Sequence, residues 1–258
     1  MAIGCIIQAR MGSSRLPGKV LMKITEEYTV LDYLLMQLKY CKKIDRIIIA
    51  TSTSKKDDVI SDFCEKQKID CFRGDEKNVL DRYYKCSKKF ALSNIIRIPA
   101  DKPLIDPEIV DSMIDTFMTQ SYDYITNFLP STFPSGTEVE IFSFSAIEKT
   151  WMNAKLPSEK EHVTKYIYNN RDKFSIYNVE NDKDLSRFRW AVDTNDDLLL
   201  VKEIVSRIQK KPILTRDIIE LFGKEPDLTN INKNVNRKEG NEKSELEDKE
   251  FLKSIGGS

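Results

Sequence analysis

Near-continuous apolar runs alternate with amphipathic ones over the first half of the sequence. Ile3–Ala9, Arg46–Thr51, Cys71–Arg73 and Ile95–Ala100 read as strands, each followed by a helix-like stretch: Val30–Cys41, Asp57–Gln67, Val79–Phe90 and Glu108–Thr119. Strands that are apolar throughout need cover on both faces. The alternation therefore predicts an α/β fold, Rossmann-like and doubly wound around a mostly parallel sheet. Ligands of such sheets gather beyond the carboxyl ends of the strands. Ala9–Lys19, Thr51–Ser54, Arg73–Asp75 and Asp101 fall there and are expected to converge.

Beyond Tyr122 the rhythm changes. Asp123–Asn127, Glu138–Ser143 and Phe174–Val179 look extended, with a helix near Glu159–Asn170 between the last two. Strict alternation over Thr137–Phe142 predicts a half-exposed strand. Arg187–Val192 returns as a core strand, followed by a helix over Asp196–Gln209 and a final one after a Thr215 cap. From Lys224 the chain turns rich in Asn, Lys and Glu and poor in large apolar residues, too few to offset its ordering entropy. The expected organisation is a domain over 1–223 and a charged linker or disordered tail over 224–258, with a transient helix around Ser244–Ser254. There is no internal repeat.

Composition narrows the function classes. Lys+Arg and Asp+Glu both number 41 in 258 residues, so no global positive field draws nucleic acid or an acidic membrane. No apolar run approaches the roughly 20 residues that span a bilayer, and the N-terminus lacks the features of a secretory signal. A cytoplasmic protein is expected. Cys5, Cys41, Cys64, Cys71 and Cys86 are odd in number and lack metal-ligand spacing, which speaks against a disulfide framework or a structural zinc site.

The first strand opens into Ala9-Arg10-Met11-Gly12-Ser13-Ser14-Arg15-Leu16-Pro17-Gly18-Lys19. Small residues such as Ala9, Gly12 and Ser13 let backbone N–H groups approach a ligand, and Arg10, Arg15 and Lys19 suit a polyphosphate. A P-loop is excluded, because five residues separate Gly12 from Gly18-Lys19 and Val20 replaces the required hydroxyl. A basic surface turn remains the plainer reading of the loop taken alone. Asp101, at the end of a predicted buried strand, suits a hard cation whose other ligands come from phosphates. Asp106, ahead of Pro107, reads as a helix cap.

The string Ile6-Ile7-Gln8-Ala9-Arg10-Met11-Gly12-Ser13-Ser14-Arg15-Leu16-Pro17-Gly18-Lys19 resembles the opening of the SpsF-like cytidylyltransferases, akin to the synthetases of CMP-sialic acids and CMP-Kdo. The resemblance covers residues 1 to about 222. It implies a cytidylyltransferase domain over 1–223, with a substrate and dimer excursion over about 123–185. It also implies a homodimer and Mg²⁺-dependent transfer of CMP from CTP to a sugar acid with release of pyrophosphate, in surface polysaccharide or glycoconjugate biosynthesis.

Ala100-Asp101-Lys102-Pro103-Leu104-Ile105-Asp106 is similar to the family's metal motif, and Val192-Asp193-Thr194-Asn195-Asp196-Asp197 to the segment supplying the second carboxylate. That assigns Asp101 and Asp193 to the metal, leaving Asp196 and Asp197 as helix-start acids. Arg10 and Lys19 join them as the catalytic set. Arg73-Gly74-Asp75 and the following Asn78–Tyr84 stretch resemble the segment bordering base and ribose, so Arg73 or Arg82 could reach a phosphate and Gly74 the cytosine. Arg82 reads equally as half of an exposed Asp–Arg pair, and Thr51 as a nucleotide contact or part of a helix-capping loop. Pro134–Glu140 resembles the acceptor-sugar segment, with Gly136, Glu138 and Glu140 as contacts and Glu138 preferred. His162, the only histidine, sits where related enzymes carry Glu-His-Val-Thr and is expected to touch substrate. Two other functions fit a nucleotide-binding fold: a glycosyltransferase using a preformed nucleotide sugar, which releases no pyrophosphate, and a non-catalytic scaffold indifferent to CTP.

Overall fold

A computed structural model describes residues 2–236 and 239–255. The expected alternation is present: β1 (Ile3–Gln8), α1 (Val30–Leu38), β2 (Arg46–Ser52), α2 (Asp58–Gln67), β3 (Asp70–Gly74), α3 (Val79–Lys89), β4 (Asn94–Pro99) and α4 (Pro107–Thr119). β1 pairs in parallel with both β2 and β4, and β2 with β3. Three of these four helices, α1, α3 and α4, start where a side chain satisfies orphan N–H groups. Thr29 and Asp32 form a reciprocal capping box on α1, Asn78 accepts from Asp81 N–H at 3.0 Å on α3, and Asp106 caps α4 as expected.

Successive strand residues serve opposite faces of the sheet. Cys5, Ile7, Ile49, Ile96 and Ile98 pack with α1, α2 and α4, whereas Ile6, Ile48 and Ile95 pack with α3 and the later segments. Each fully buried Ile or Leu contributes about 1.5–3 kcal/mol, so a one-residue slip of β1 or β2 would exchange the two interiors. Register is thereby fixed, and with it the level at which the strand-end loops emerge.

In the second half one strand reverses direction. β5 (Tyr124–Thr126), β6 (Glu140–Ser143) and β7 (Ile176–Asn178) complete a seven-stranded sheet of order β3-β2-β1-β4-β6-β5-β7, in which β6 runs antiparallel to both neighbours. β6 is buried through Phe142, so the half-exposed strand expected from alternation is instead interior. Helix α5 (Phe144–Asn153), capped by Ser143, was not anticipated. The helix expected near Glu159–Asn170 is two short ones, α6 (Pro157–Glu161) and α7 (Lys165–Asn169), broken where buried Val163 takes φ +60°. That value is an outlier for a β-branched residue.

Arg187–Val192 is extended but forms no strand, only a lone bridge from Arg189 to Ser135. Its N–H groups go to two different segments, Trp190 to Ser135 and Val192 to Asp101, so no ladder develops. Helix α8 (Asn195–Arg207) follows, and in α9 (Thr215–Lys224) Thr215 is the first helical residue, with Asp217 accepting the Leu214 N–H at 2.9 Å. Trp190 and Val192 form a third interior with α8 and α9. Where composition predicted a disordered tail, Leu228 is buried after α9 and α10 (Glu239–Ile255) is a continuous helix resting on α6. Its four inward residues, described below, recover what the few apolar ones cannot. All five cysteines are free thiols, and among the described residues no helix is long and apolar enough to cross a membrane.

Candidate active site

A cavity of about 860 Å³ opens at the carboxyl ends of β1 and β4. Ala9, Arg10, Gly12, Ser13, Arg15, Lys19, Arg82, Asp101, His162 and Asp193 all line it, bringing together ten of the sixteen residues singled out from the sequence. Lys19, raised on a short 3₁₀ turn (Lys19–Leu21) behind left-handed Gly18, puts its ammonium 2.7 Å from Asp101 Oδ2 and 2.7 Å from Asp193 Oδ1. Two carboxylates some ninety positions apart thus face one point, reached from the ends of β4 and of the extended 187–192 segment.

Electrostatics keep this cluster charged. Burial alone would lower the Lys19 ammonium, but Asp101 and Asp193 reverse that and raise it above its ordinary value. Burial likewise disfavours an ionised Asp193, yet Lys19, Arg189 and Arg15 outweigh it and hold the carboxyl at about 2. Arg15 Nη2 lies 3.0 Å from Asp193 Oδ2, while Arg10 Nη2 reaches Glu161 Oε1 at the end of α6, 3.2 Å away. Beneath Asp193 sits Asp197, which is fully buried. It accepts from the Asp193 and Thr194 N–H groups at 3.0 Å, from Arg189 Nε at 3.0 Å and from Asn232 Nδ2 at 2.8 Å. Asp197 therefore does more than begin a helix.

Arg82 is not the exposed partner of an acid. It is 1% exposed, with Nη1 3.5 Å from Ala50 O, Nη2 3.4 Å from Glu76 O and no partner for Nε. Burial lowers its affinity for the proton. A guanidinium desolvated against a cavity, with two long hydrogen bonds and no ion pair among the described residues, is set up for an anion. The His162 imidazole is also shifted down by burial, partly opposed by Glu161, and its Nε2 meets Ser244 Oγ at 2.7 Å.

Six expected contacts do not line the cavity. Thr51 is buried within β2, and Arg73 turns to Ser52 O, Ser54 O and Asp58 beside Gly74 at the end of β3. Gly136, at φ +112°, passes so close to Trp190 and Ala191 that a Cβ would lie 2.8 Å from the Ala191 nitrogen. Glu138, half-buried, pairs with Lys102 at 3.0 Å and accepts the Gly136 N–H at 2.8 Å rather than facing the cavity. Lys102 thus points away from Asp101, as expected, but into an ion pair. Glu140 is buried under Arg97, Tyr124 and Thr164, all three of which bond it. Pattern reasoning missed Arg97, Lys155, Lys160 and Glu161, which do line the cavity. The Lys and Glu residues had a signal in their charge beside the His162 motif; buried Arg97, mid-strand, had none.

Two carboxylates converging on a cation position form an oxygen donor set that fits a hard divalent ion. Among the described residues no group of three or more His, Cys, Asp or Glu closes around one.

The sheet order and the placement of the cavity put the chain among α/β folds of the nucleotidyltransferase type. A profile of the cytidylyltransferase family matches residues 4–237, and the chain belongs to that family. It is 34% identical over 230 residues to the spore coat polysaccharide biosynthesis protein SpsF of Bacillus subtilis, covering 86% of this chain and 94% of that one. A 3-deoxy-manno-octulosonate cytidylyltransferase of Syntrophotalea carbinolica is 31% identical over 114 residues, 44% of each chain. Among solved structures, a cytidylyltransferase from Leptospira borgpetersenii superposes with a TM-score of 0.86 at 33% identity, over 92% of this chain and 98% of that one.

Proposed function

We propose that the enzyme transfers CMP from CTP to a sugar acid of the keto-deoxy class, with Mg²⁺, in the making of a surface polysaccharide or glycoconjugate. The observation that carries this reading is the Lys19 ammonium seated between Asp101 and Asp193 at the mouth of β1 and β4, beside a buried Arg82 with no ion pair among the described residues. The named activity of the Syntrophotalea relative and the polysaccharide role in the name of SpsF support the acceptor class and the setting.

In this mechanism an acceptor hydroxyl oxygen attacks the α-phosphorus of CTP in line and gives up its proton to solvent, the α–β phosphoanhydride bond breaks, and pyrophosphate leaves with the electron pair. Lys19, Arg15 and Arg10 hold the triphosphate and neutralise charge building on the departing oxygens. Arg82 receives a phosphate oxygen from the floor of the cavity. Asp101 and Asp193 would hold the Mg²⁺, which would supply charge neutralisation at the phosphates. No covalent enzyme intermediate is needed. Gly12 and Ser13 leave the loop backbone open to close approach.

Pyrophosphate release with CTP, Mg²⁺ and a panel of keto-deoxy sugar acids tests the reading. Turnover should stop with EDTA and fall at least about 100-fold in Asp101→Asn and in Asp193→Asn. Pyrophosphate release from no combination of nucleotide and sugar acid would end it. Near-normal turnover in both variants would remove the metal assignment alone.

A further inference from the structure

We infer that α10 is the acceptor-side wall of the cavity and selects the acceptor, an inference that rests on the cytidylyl transfer proposed above. The family profile ends at residue 237, so this helix, beginning at Glu239, is an addition to the family core. One face of it looks inward: Ser244, Glu247, Asp248 and Phe251 recur at three- and four-residue spacing, while Glu245, Leu246, Lys249, Glu250 and Leu252 are exposed.

Two of the inward residues anchor the helix. Asp248 accepts the Ser158 N–H at 2.9 Å and the Ser158 hydroxyl, and lies 3.8 Å from Lys165. Ser244 Oγ meets His162 Nε2 at 2.7 Å. The anchors sit on α6 and at the His162–Thr164 break, which fixes α10 against the part of the molecule carrying Lys155 and Lys160. The other two inward residues, Glu247 and Phe251, line the cavity.

The chemistry of this wall matches an acidic sugar in ring form. Lys155 and Lys160 line the same cavity, and among the described residues neither is in an ion pair, so they suit a carboxylate. The Phe251 ring offers a flat apolar surface to the C–H face of a pyranose, and the Glu247 carboxylate accepts from sugar hydroxyls. None of these groups belongs to the strand ends that face the triphosphate. Substitutions on α10 should therefore act on the acceptor and leave the nucleotide alone.

Full-length Phe251→Ala, Phe251→Tyr and Glu247→Gln would be assayed by pyrophosphate release against CTP and the sugar acid that turns over best. Phe251→Ala should raise the acceptor KM about fivefold to tenfold, with the CTP KM within about twofold, and Phe251→Tyr should restore it. Glu247→Gln should raise the acceptor KM about threefold. In the wild-type enzyme, adding acceptor to the CTP-bound protein should slow amide hydrogen exchange over residues 244–251. Unchanged acceptor KM values, equal rises for both substrates, or exchange indifferent to acceptor would overturn the role of α10 while leaving the enzyme a cytidylyltransferase. Absence of turnover with every sugar acid would instead overturn the proposed reaction, and this inference with it.

Discussion

Replacing Arg82 by methionine should move stability and nucleotide affinity in opposite directions. The native side chain is 1% exposed and gives up its hydration for hydrogen bonds of 3.4 and 3.5 Å, long enough to be worth about 1 kcal/mol together. A buried cation without a counter-ion costs several kcal/mol, and methionine fills a similar apolar volume without that penalty. The net expectation is a gain of roughly 1–3 kcal/mol, or roughly 3–9 °C in melting temperature for a chain of this size. A charge-assisted hydrogen bond to a phosphate is worth about 1.5–3 kcal/mol, so the CTP dissociation constant should rise about 10- to 100-fold. Differential scanning calorimetry and isothermal titration with CTP measure the two quantities on one preparation. A variant that melts lower than wild type and binds CTP normally would show that Arg82 is a structural residue, and would refute the reasoning from its unpaired burial.

Other substitutions test the supports of the site. Asp197→Asn removes one of the two carboxylates that Arg189 pairs with, Asp193 remaining, and turns an amide toward N–H donors, so urea denaturation should record a loss of about 1.5–3 kcal/mol. Gly136→Ala forces a Cβ against the Ala191 nitrogen at φ +112° and should cost roughly 2–3 kcal/mol, with melting temperature as the readout. Glu138 is disfavoured as an anion by burial but stabilised more by Lys102 and the Gly136 N–H, which lowers its proton affinity below the ordinary 4.5. Between the folded and ordinary values the unfolded chain binds more protons, so the contribution of Glu138 is whole at neutral pH and fades as pH falls below about 4.5. The stability gap between wild type and Glu138→Gln should therefore narrow from pH 7 to pH 3.5 in urea titrations; a constant gap would count against the ion pair.

What could be read from the sequence divides by the range of the interaction. β1 to α4 follow local rules, periodicity of two or 3.6 residues and capping side chains such as Thr29, Asn78 and Asp106, and they lie where those rules put them to within a few residues. The pairing of Asp101 with Asp193 came from likeness to a family, since nothing in a spacing of ninety residues brings two acids together. Side-chain direction was the harder matter. Glu138 and Glu140 share a strand face in sequence, but Lys102 and Arg97 draw both into ion pairs, Glu140 buried and Glu138 half-buried. Arg82 reads equally as a phosphate contact and as half of an exposed Asp–Arg pair; Asp81 instead bonds Trp151 Nε1 and Lys85, and among the described residues the arginine has no ion pair. Of helix α10 composition suggests only a transient stretch around Ser244–Ser254, because its fixed order comes from polar anchors, Asp248 and Ser244, on partners ninety and eighty-two positions away.

The clamp on Asp197 also has a bearing on synthesis. Its donors come from Arg189, from the start of α8 and from Asn232, beyond α9. A chain emerging from the ribosome can pair β1 with β2 and β4 long before Asn232 is added. Asp193, which faces Lys19, acquires its full backing only once Asn232 has been added, well after the last strand β7, so a nascent chain or one clipped before Asn232 would have a finished sheet and an unfinished site.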